Sequence, residues 1–205
     1  MLEKICAELA DVGRTAVASG LVQASGGNLS ARLDDTTFVV TGAGTWLDRL
    51  TPRDFAVVDL DGNVASPETA PSSEWKLHQR AYLRRPDVTA VVHVHPQHAV
   101  LLSALRREIR LLTLDHAYYV KSVGYTEFHP NGSIELAETA AAQLADHNCV
   151  IMRHHGCTTV GDSIGMAYRR ALNLEEAATA TYRSLLLGDD TTTFPDEQFH
   201  QLHHA

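Results

Sequence analysis

The sequence predicts an α/β fold in which helices cover a central sheet. Segments with the apolar spacing of amphipathic helices alternate with short runs of β-branched residues, and no internal repeat interrupts them. The 205 residues are close to the size of one domain and are enough to bury a hydrophobic core. We therefore expect a single domain over residues 1–205, with a flexible C-terminal tail from about residue 190.

The chain opens with an amphipathic helix and a hairpin. Apolar residues recur at helical spacing from residue 1 to about 20, where a glycine ends the pattern. Two β-branched runs then flank Asp34 and Asp35, which predicts two strands joined by a turn, with glycine-rich loops at both outer ends. After Thr51 and Pro52, which resemble a helix cap and its first residue, AVVDLDGNV predicts a strand, an Asp-Gly turn and another strand.

The rest of the chain predicts four helices and two strands. The first of these helices is expected to begin at Ser72 or Ser73 and to end before Pro86. The predicted elements are helices at 71–85, 96–105, 134–146 and 164–187, and strands at 87–95 and 149–152.

Charge and cysteine content restrict the possible partners. A formal net charge of −8 would repel a nucleic-acid backbone, so we expect no nucleic-acid partner. No apolar run reaches the roughly 18–20 residues that span a bilayer, and the N-terminus lacks the pattern of a secretion signal, so no membrane association is expected. Three cysteines without C-x-x-C spacing fit reduced thiols. Together these features predict a cytoplasmic protein.

Two histidines in a strand-forming run give the strongest indication of chemistry. His93 and His95 are separated by one residue, and the period of two along a strand places both imidazoles on one face, roughly 6.6 Å apart. Val92 and Val94 then point into the core. Two such ring nitrogens can bind one divalent ion. Histidines that merely end a strand at the surface would give the same pattern, but we favour a metal site.

A catalytic zinc site with an open position needs a third protein ligand. His154 and His155 both follow the buried run at 149–152 and precede Gly156, so either could turn its side chain toward a site at the strand end. The residue pattern leaves both alternatives open.

A helix start could bind an anion next to this site. Ser72 and Ser73 could present hydroxyl groups and free N–H groups there, with Glu74 beside them as an acid/base carboxylate. Helix capping by the serines, and a favourable interaction of Glu74 with the helix dipole, would explain the same residues without a substrate.

Two glycine-rich loops offer a second group of anion-binding candidates. Asn28, Thr41 and Gly42 lie in these loops, whose backbone N–H groups can surround a phosphate. Ordinary turns require the same residue types, so the loops alone do not separate the two interpretations.

Five motifs, taken together, resemble the class II aldolase/adducin family. Their order and spacing agree over nearly the whole chain, and the Ser-Ser-Glu-Trp segment is most similar to that of the family's L-fuculose-phosphate aldolases. The resemblance implies a three-layer fold with a mostly antiparallel central sheet. The motifs are GGNLSAR at 26–32, TGAG at 41–44, PSSEWKLH at 71–78, AVVHVHP at 90–96 and RHHGCTTVG at 153–161.

The same resemblance implies a set of functional residues. It implies a zinc ion, or another divalent metal such as Mn²⁺ or Co²⁺, and it favours the histidine directly before glycine as third ligand. Glu74 falls on the catalytic carboxylate. The implied metal ligands are His93, His95 and His155, and the implied phosphate-binding residues are Asn28, Thr41, Gly42, Ser72 and Ser73.

The implied activity is reversible cleavage of a ketose 1-phosphate, such as L-fuculose 1-phosphate, to dihydroxyacetone phosphate and a small aldehyde. The family also implies a homotetramer with active sites between subunits. Alternatives on this scaffold are methylthioribulose-1-phosphate dehydration, oxo-tetronate-phosphate decarboxylation and ribulose-phosphate 4-epimerisation. A non-catalytic adducin-type module is disfavoured, because such a module needs neither the three histidines nor the glutamate.

The segment from His116 to Tyr119 departs from the family patterns. Related epimerases have aspartate at the place of Tyr118, and the aldolases have tyrosine at the place of Ala117. Tyr118 or Tyr119 could therefore donate the proton, and Tyr118 is our candidate. Aromatic packing at a subunit contact is the alternative role.

Overall fold

A computed structural model describes residues 1–66, 68–195 and 197. This part of the chain forms one seven-stranded sheet and five helices of more than one turn. None of these helices is both long and apolar enough to cross a membrane. The helices are α1 (Leu2–Ala18), α2 (Trp75–Arg84), α3 (Gln97–Ala104), α4 (Ile134–Leu144) and α5 (Ile164–Leu186). The strands are β1 (Asn28–Arg32), β2 (Thr37–Thr41), β3 (Phe55–Asp59), β4 (Ala90–Val94), β5 (Val123–Thr126), β6 (Cys149–Met152) and β7 (Gly156–Gly161).

The sheet has the strand order β3-β2-β1-β4-β7-β6-β5. Neighbouring strands are antiparallel except β5 and β6, which are parallel. Helices α1, α3 and α5 contribute to the apolar layer on one face, and α2 and α4 to the layer on the other. The predicted α/β fold, with a mostly antiparallel sheet between helices, is confirmed.

Strand β4 shows how the sheet separates the core from the site. Val92 and Val94 pack into the layer of α1, α3 and α5, as the period of two predicts. Val91 packs into the opposite layer, next to α2. His93 therefore faces the side of the sheet on which α2 begins.

Three strand ends meet at this place. In the antiparallel register, Asn28 at the start of β1 lies opposite His93, and Cys157 near the start of β7 lies opposite Val94. The loops before β1, after β4 and before β7 are consequently neighbours, although they are far apart in sequence.

The structure differs from the sequence prediction in several elements. Strands β5 and β7 were not expected, and the second strand of AVVDLDGNV is reduced to a single bridge between Val58 and Val64. Helix α2 begins at Trp75 after Glu74, with no side-chain cap, so neither Ser72 nor Ser73 caps it. The Ser72 hydroxyl accepts a hydrogen bond from the Glu74 N–H instead, at 3.3 Å.

The predicted C-terminal tail is described only in part. Arg110 donates a hydrogen bond to the carbonyl oxygen of Thr192, and Phe194 N–H donates to the carbonyl oxygen of Leu111. Residues 196 and 198–205, which belong to the predicted tail, lie outside the described residues.

Candidate active site

Three histidines and one glutamate converge at the meeting point of the strand ends. The Nε2 atoms of His93 and His95 are 3.0 Å apart, and the His155 ring centroid lies 5.0 Å from that of His93 and 5.2 Å from that of His95. One possible ligand atom from each of these histidines and from Glu74 lies within 4.8 Å of all the others. Side-chain atoms of four residues thus surround one point.

Different elements hold the three rings. His93 is the fourth residue of β4, and His95 follows the end of that strand, where its N–H donates to the Leu21 carbonyl oxygen at 3.1 Å. His155 lies in the turn between β6 and β7, where its N–H donates to the Met152 carbonyl oxygen at 3.1 Å. The structure brings His155 into the cluster, whereas exposed His154 has a φ of 60° and lies outside it.

The donor set fits a divalent metal ion. Burial, together with the neighbouring His93, lowers the pKa of His95 to about 3 and that of His155 to about 4, so both imidazoles are neutral and have a lone pair for a metal. The His93 Nδ1 lies 3.2 Å from the Thr158 hydroxyl, which leaves its Nε2 directed at the cluster. Buried Glu74 Oε1 has no hydrogen-bond partner among the described residues, and a cation at the centre would offset its negative charge.

The Glu74 carboxylate borders the cluster. Its Oε2 lies 3.2 Å from His93 Nε2 and accepts a hydrogen bond from Asn28 Nδ2 at 3.0 Å, and its Oε1 lies 3.2 Å from His155 Nε2. Burial by itself raises the pKa of Glu74, but the positive charge that His93 and His155 can carry and the hydrogen bond from Asn28 hold that pKa below its ordinary value. The side chain is therefore an ionised carboxylate, which can accept a proton.

A cavity of about 400 Å³ opens beside Glu74 and His95. Among the predicted phosphate-binding residues, Asn28, Gly42, Ser72 and Ser73 line it. Four further lining residues have no signal in the sequence, because they lie in loops without a periodic pattern. These are Ser25, Thr45, Phe128 and Asn131.

Two of the predicted phosphate-binding residues, Thr41 and Gly42, make hydrogen bonds within the protein. Thr41 is buried and does not line the cavity, and its hydroxyl accepts the Leu29 N–H at 3.1 Å. The N–H of Gly42 donates to the Asp54 carbonyl oxygen at 2.7 Å. Thr41 and Gly42 thus shape the loop, while Ser73, which is exposed, presents its side chain at the surface of the cavity.

Tyr118 is not among the residues that line this cavity. It lies in a short π-helical turn, His116–Val120, and its ring makes an edge contact with Tyr119 at a centroid distance of 5.0 Å. The Tyr119 hydroxyl accepts a hydrogen bond from Arg169 on α5. Within one chain, the structure does not bring this pair of tyrosines to the cluster.

Gly156 allows the cluster to form, and its replacement should weaken metal binding. A Cβ atom here would lie 2.5 Å from His95 Cδ2 and 2.7 Å from the Val94 carbonyl oxygen. In the Gly156→Ala protein we expect a displaced His95 ring and a metal affinity reduced roughly ten- to hundredfold. A competitive Zn²⁺ titration against a chelator measures this. Gly165→Ala, where nothing lies within 4 Å, is the matched control and should bind metal like the unaltered protein. Equal affinities for both variants would contradict the prediction.

Comparison with known proteins identifies the family of this chain. The family model described as "Class II Aldolase and Adducin N-terminal domain" matches residues 7–182. An L-fuculose phosphate aldolase of Methanocaldococcus jannaschii is 35% identical over 90% of this chain and 95% of its own length. A 5-methylthioribulose-1-phosphate/5-deoxyribulose-1-phosphate aldolase of Rhodospirillum rubrum is 30% identical over 92% of this chain and 85% of its own.

A solved structure agrees with these matches. The L-fuculose-1-phosphate aldolase of Thermus thermophilus superposes with a TM-score of 0.82 at 32% identity, covering 92% of this chain and 98% of that one. The family model, the two sequence relatives and the solved structure each match most of this chain. The chain therefore belongs to the class II aldolase and adducin family, and it is one of the family's aldolases.

Proposed function

We propose that this aldolase reversibly cleaves a ketose 1-phosphate to dihydroxyacetone phosphate and a small aldehyde, with zinc as its metal. The observation that carries the proposal is the convergence of His93, His95, His155 and Glu74 beside a cavity lined by glycine loops and serines. The three imidazoles provide the nitrogen ligands that zinc accepts, and a catalytic zinc site with three protein ligands keeps a position open for substrate. The curated relatives with fuculose-phosphate and 5-deoxyribulose-phosphate aldolase names support this substrate class.

The reaction needs charge stabilisation and proton movement at two positions. When the carbon–carbon bond breaks, the hydroxyl group of the departing fragment loses its proton and becomes the aldehyde. The bonding electron pair stays on the carbon beside the ketone. A zinc ion on the three histidines would supply the Lewis acid that stabilises this charge. The remaining requirement is a group that moves the proton at that carbon.

Glu74 is the residue that meets this requirement. Its carboxylate is ionised, nearly buried, and held at the border of the cluster by Asn28 at 3.0 Å. We propose that it transfers the proton to and from the carbon beside the ketone, which requires a separation of roughly 3 Å in the bound complex. Because Asn28 restrains its orientation, little reorganisation is needed during the reaction.

The substrate phosphate is proposed to bind where the serines before α2 and the glycine-rich loops line the cavity. Ser72 and Ser73 precede helix α2, and Asn28 and Gly42 belong to the two glycine-rich loops. Thr41 accepts a hydrogen bond from the N–H of Leu29, the residue after Asn28, and so helps to fix the start of β1. A phosphate held there is remote from the reacting carbons, so its binding energy fixes the orientation of the substrate.

The proposal also extends to the assembly. We propose a cytoplasmic homotetramer whose active sites lie between subunits, as the resemblance to the family implies. In that arrangement, Tyr118 of a neighbouring subunit would exchange the proton of the departing aldehyde oxygen. The position of Tyr118 outside the cavity of its own chain is compatible with such a role.

A substrate panel tests the activity. The zinc-loaded protein is incubated with pentulose and hexulose 1-phosphates, and release of triose phosphate is followed with a coupled dehydrogenase. We expect cleavage of at least one 1-phosphate, and a loss of roughly a hundredfold or more for the same sugar without phosphate. Consumption of a sugar phosphate without triose phosphate would support dehydration, decarboxylation or epimerisation instead. No reaction with any member would favour a non-catalytic module.

A further inference from the structure

A series of hydrogen-bonded, buried polar side chains leads from Glu74 away from the cavity. Asn28 Nδ2 lies 3.0 Å from Glu74 Oε2, and Asn28 Oδ1 lies 2.5 Å from His78 Nε2. His78 Nδ1 lies 2.6 Å from the Ser30 hydroxyl, which lies 2.7 Å from the Tyr82 hydroxyl. Each of these side chains is at most 6% exposed. The proposed reaction does not by itself need the three groups beyond Asn28, which are His78, Ser30 and Tyr82.

Local geometry explains why these groups form a continuous series. Asn28 and Ser30 are two residues apart on β1 and therefore share one face of the strand. Glu74, His78 and Tyr82 are four residues apart along α2 and therefore share one side of that helix. The strand contributes every second residue and the helix contributes every fourth. Residues of the two elements therefore alternate along the series.

The direction of the hydrogen bonds follows from the chemistry of the groups. An ionised carboxylate can only accept, so Asn28 must present its NH₂ group to Glu74 and its carbonyl oxygen to His78. The carbonyl oxygen can only accept, so His78 Nε2 must bear the hydrogen. Burial, with a contribution from His93, lowers the pKa of His78 to about 3, so the ring is neutral and its Nδ1 is an acceptor.

The remaining two bonds are then determined. The Ser30 hydroxyl donates to His78 Nδ1, and the Tyr82 hydroxyl donates to Ser30. All four bonds donate toward Glu74. The opposite arrangement would place the Asn28 carbonyl oxygen against the Glu74 carboxylate, which is repulsive in a buried site.

We propose that His78 is a positioning residue for proton transfer. Its Nε2–H fixes the orientation of the Asn28 amide, and the amide in turn holds the Glu74 carboxylate toward the substrate carbon. The second N–H of the same Asn28 amide remains available to the cavity that Asn28 lines. The inference rests on the proposed role of Glu74, and it adds a residue that lies outside both the cluster and the cavity lining.

Two variants of His78 separate donation to Asn28 from packing. In His78→Gln, the side-chain amide nitrogen can occupy the place of Nε2 and donate to Asn28. In His78→Asn, the shorter amide can reach only the place of Nδ1, next to Ser30. The two variants are both polar and similar in size, so they differ mainly in the bond that the proposal requires.

The readout is exchange of the dihydroxyacetone phosphate proton with solvent in the zinc-loaded enzyme. We expect His78→Gln to retain most of the exchange rate and His78→Asn to lose roughly ten- to a hundredfold in kcat, with KM and zinc content little changed in both. Equal kcat values for the two variants would overturn the proposal. If the unaltered enzyme shows no exchange at all, the proposed function of Glu74 fails. A direct measurement of the His78 tautomer then still tests the His78 assignment.

The tautomer is measured without substrate or substitution. Neutron diffraction from crystals of the zinc-loaded enzyme shows which ring nitrogen of His78 bears the deuterium. Deuterium on Nε2 alone, with the Asn28 ND₂ group facing Glu74, is the expected result. Deuterium on Nδ1 alone, or an Asn28 amide turned the other way, would overturn the proposal even if the two variants do not fold.

Discussion

The His95→Ala protein is expected to lose its bound metal and its aldolase activity together. His95 is one of three imidazoles that surround the proposed ion, and its Nε2 is only 3.0 Å from that of His93. Zinc-finger peptides bind zinc with about 10–16 kcal/mol, so removal of one of the three proposed histidine ligands should cost roughly 3 kcal/mol or more, which is at least about a hundredfold in affinity. Zinc content after dialysis against a weak chelator and release of triose phosphate measure the two losses.

His98→Ala is the matched control for this substitution. His98 is three residues further along the chain, on α3, where its Nδ1 lies 2.8 Å from Glu175 Oε1 and outside the cluster. We expect this variant to retain the zinc stoichiometry of the unaltered enzyme. A His95→Ala protein with full zinc content and full activity would remove His95 from the proposed ligand set.

Helices α1 and α5 illustrate what local patterns can predict. Their apolar residues recur at helical spacing in the sequence, and the structure bounds them at Leu2–Ala18 and Ile164–Leu186, within a few residues of the prediction. Their stability comes from apolar faces that pack on the sheet, and that pattern is local in the chain. The alternation in β4, with Val92 and Val94 turned to the core, was predictable for the same reason.

Strand β7 illustrates what local patterns miss. Its sequence, GCTTVG, begins and ends with glycine and is short, so it resembles a loop. Its hydrogen-bond partners are β4 and β6 on either side, and β4 is more than sixty residues away in the chain. The strand forms because these neighbours leave unpaired backbone groups between them, and no feature within the six residues indicates that.

The choice between His154 and His155 also depended on backbone geometry. Residue types alone left both open, because each precedes Gly156 and follows a buried strand. In the structure, His154 adopts a left-handed φ of 60°, and the chain then turns His155 into the cluster. The start of α2 was mispredicted for a related reason: the Glu74 side chain, at the capping position, turns to the histidines, and Ser72 bonds the Glu74 N–H.

Glu74→Gln is the second substitution with a large expected effect. Glutamine has nearly the same shape and its amide oxygen can still accept from Asn28, so the site should keep its form. An amide cannot take up a proton near neutral pH, and we therefore expect the rate of proton exchange in dihydroxyacetone phosphate to fall roughly 10²–10⁴-fold. Because the pKa of Glu74 is below its ordinary value, the carboxylate is ionised in the unaltered enzyme throughout the neutral range, and the difference should persist at every pH there.

Exchange rate and metal content together decide the role of Glu74. Glu138→Gln is the matched control, since this carboxylate pairs with Arg80 at 2.6 Å on an exposed surface of α4 and should not affect exchange. Retained zinc with slow exchange in Glu74→Gln supports proton transfer by the carboxylate. Loss of zinc with slow exchange would make Glu74 primarily a metal ligand, because its Oε1 and Oε2 each lie 3.2 Å from a histidine nitrogen. Unchanged exchange would exclude Glu74 as the proton-transferring group.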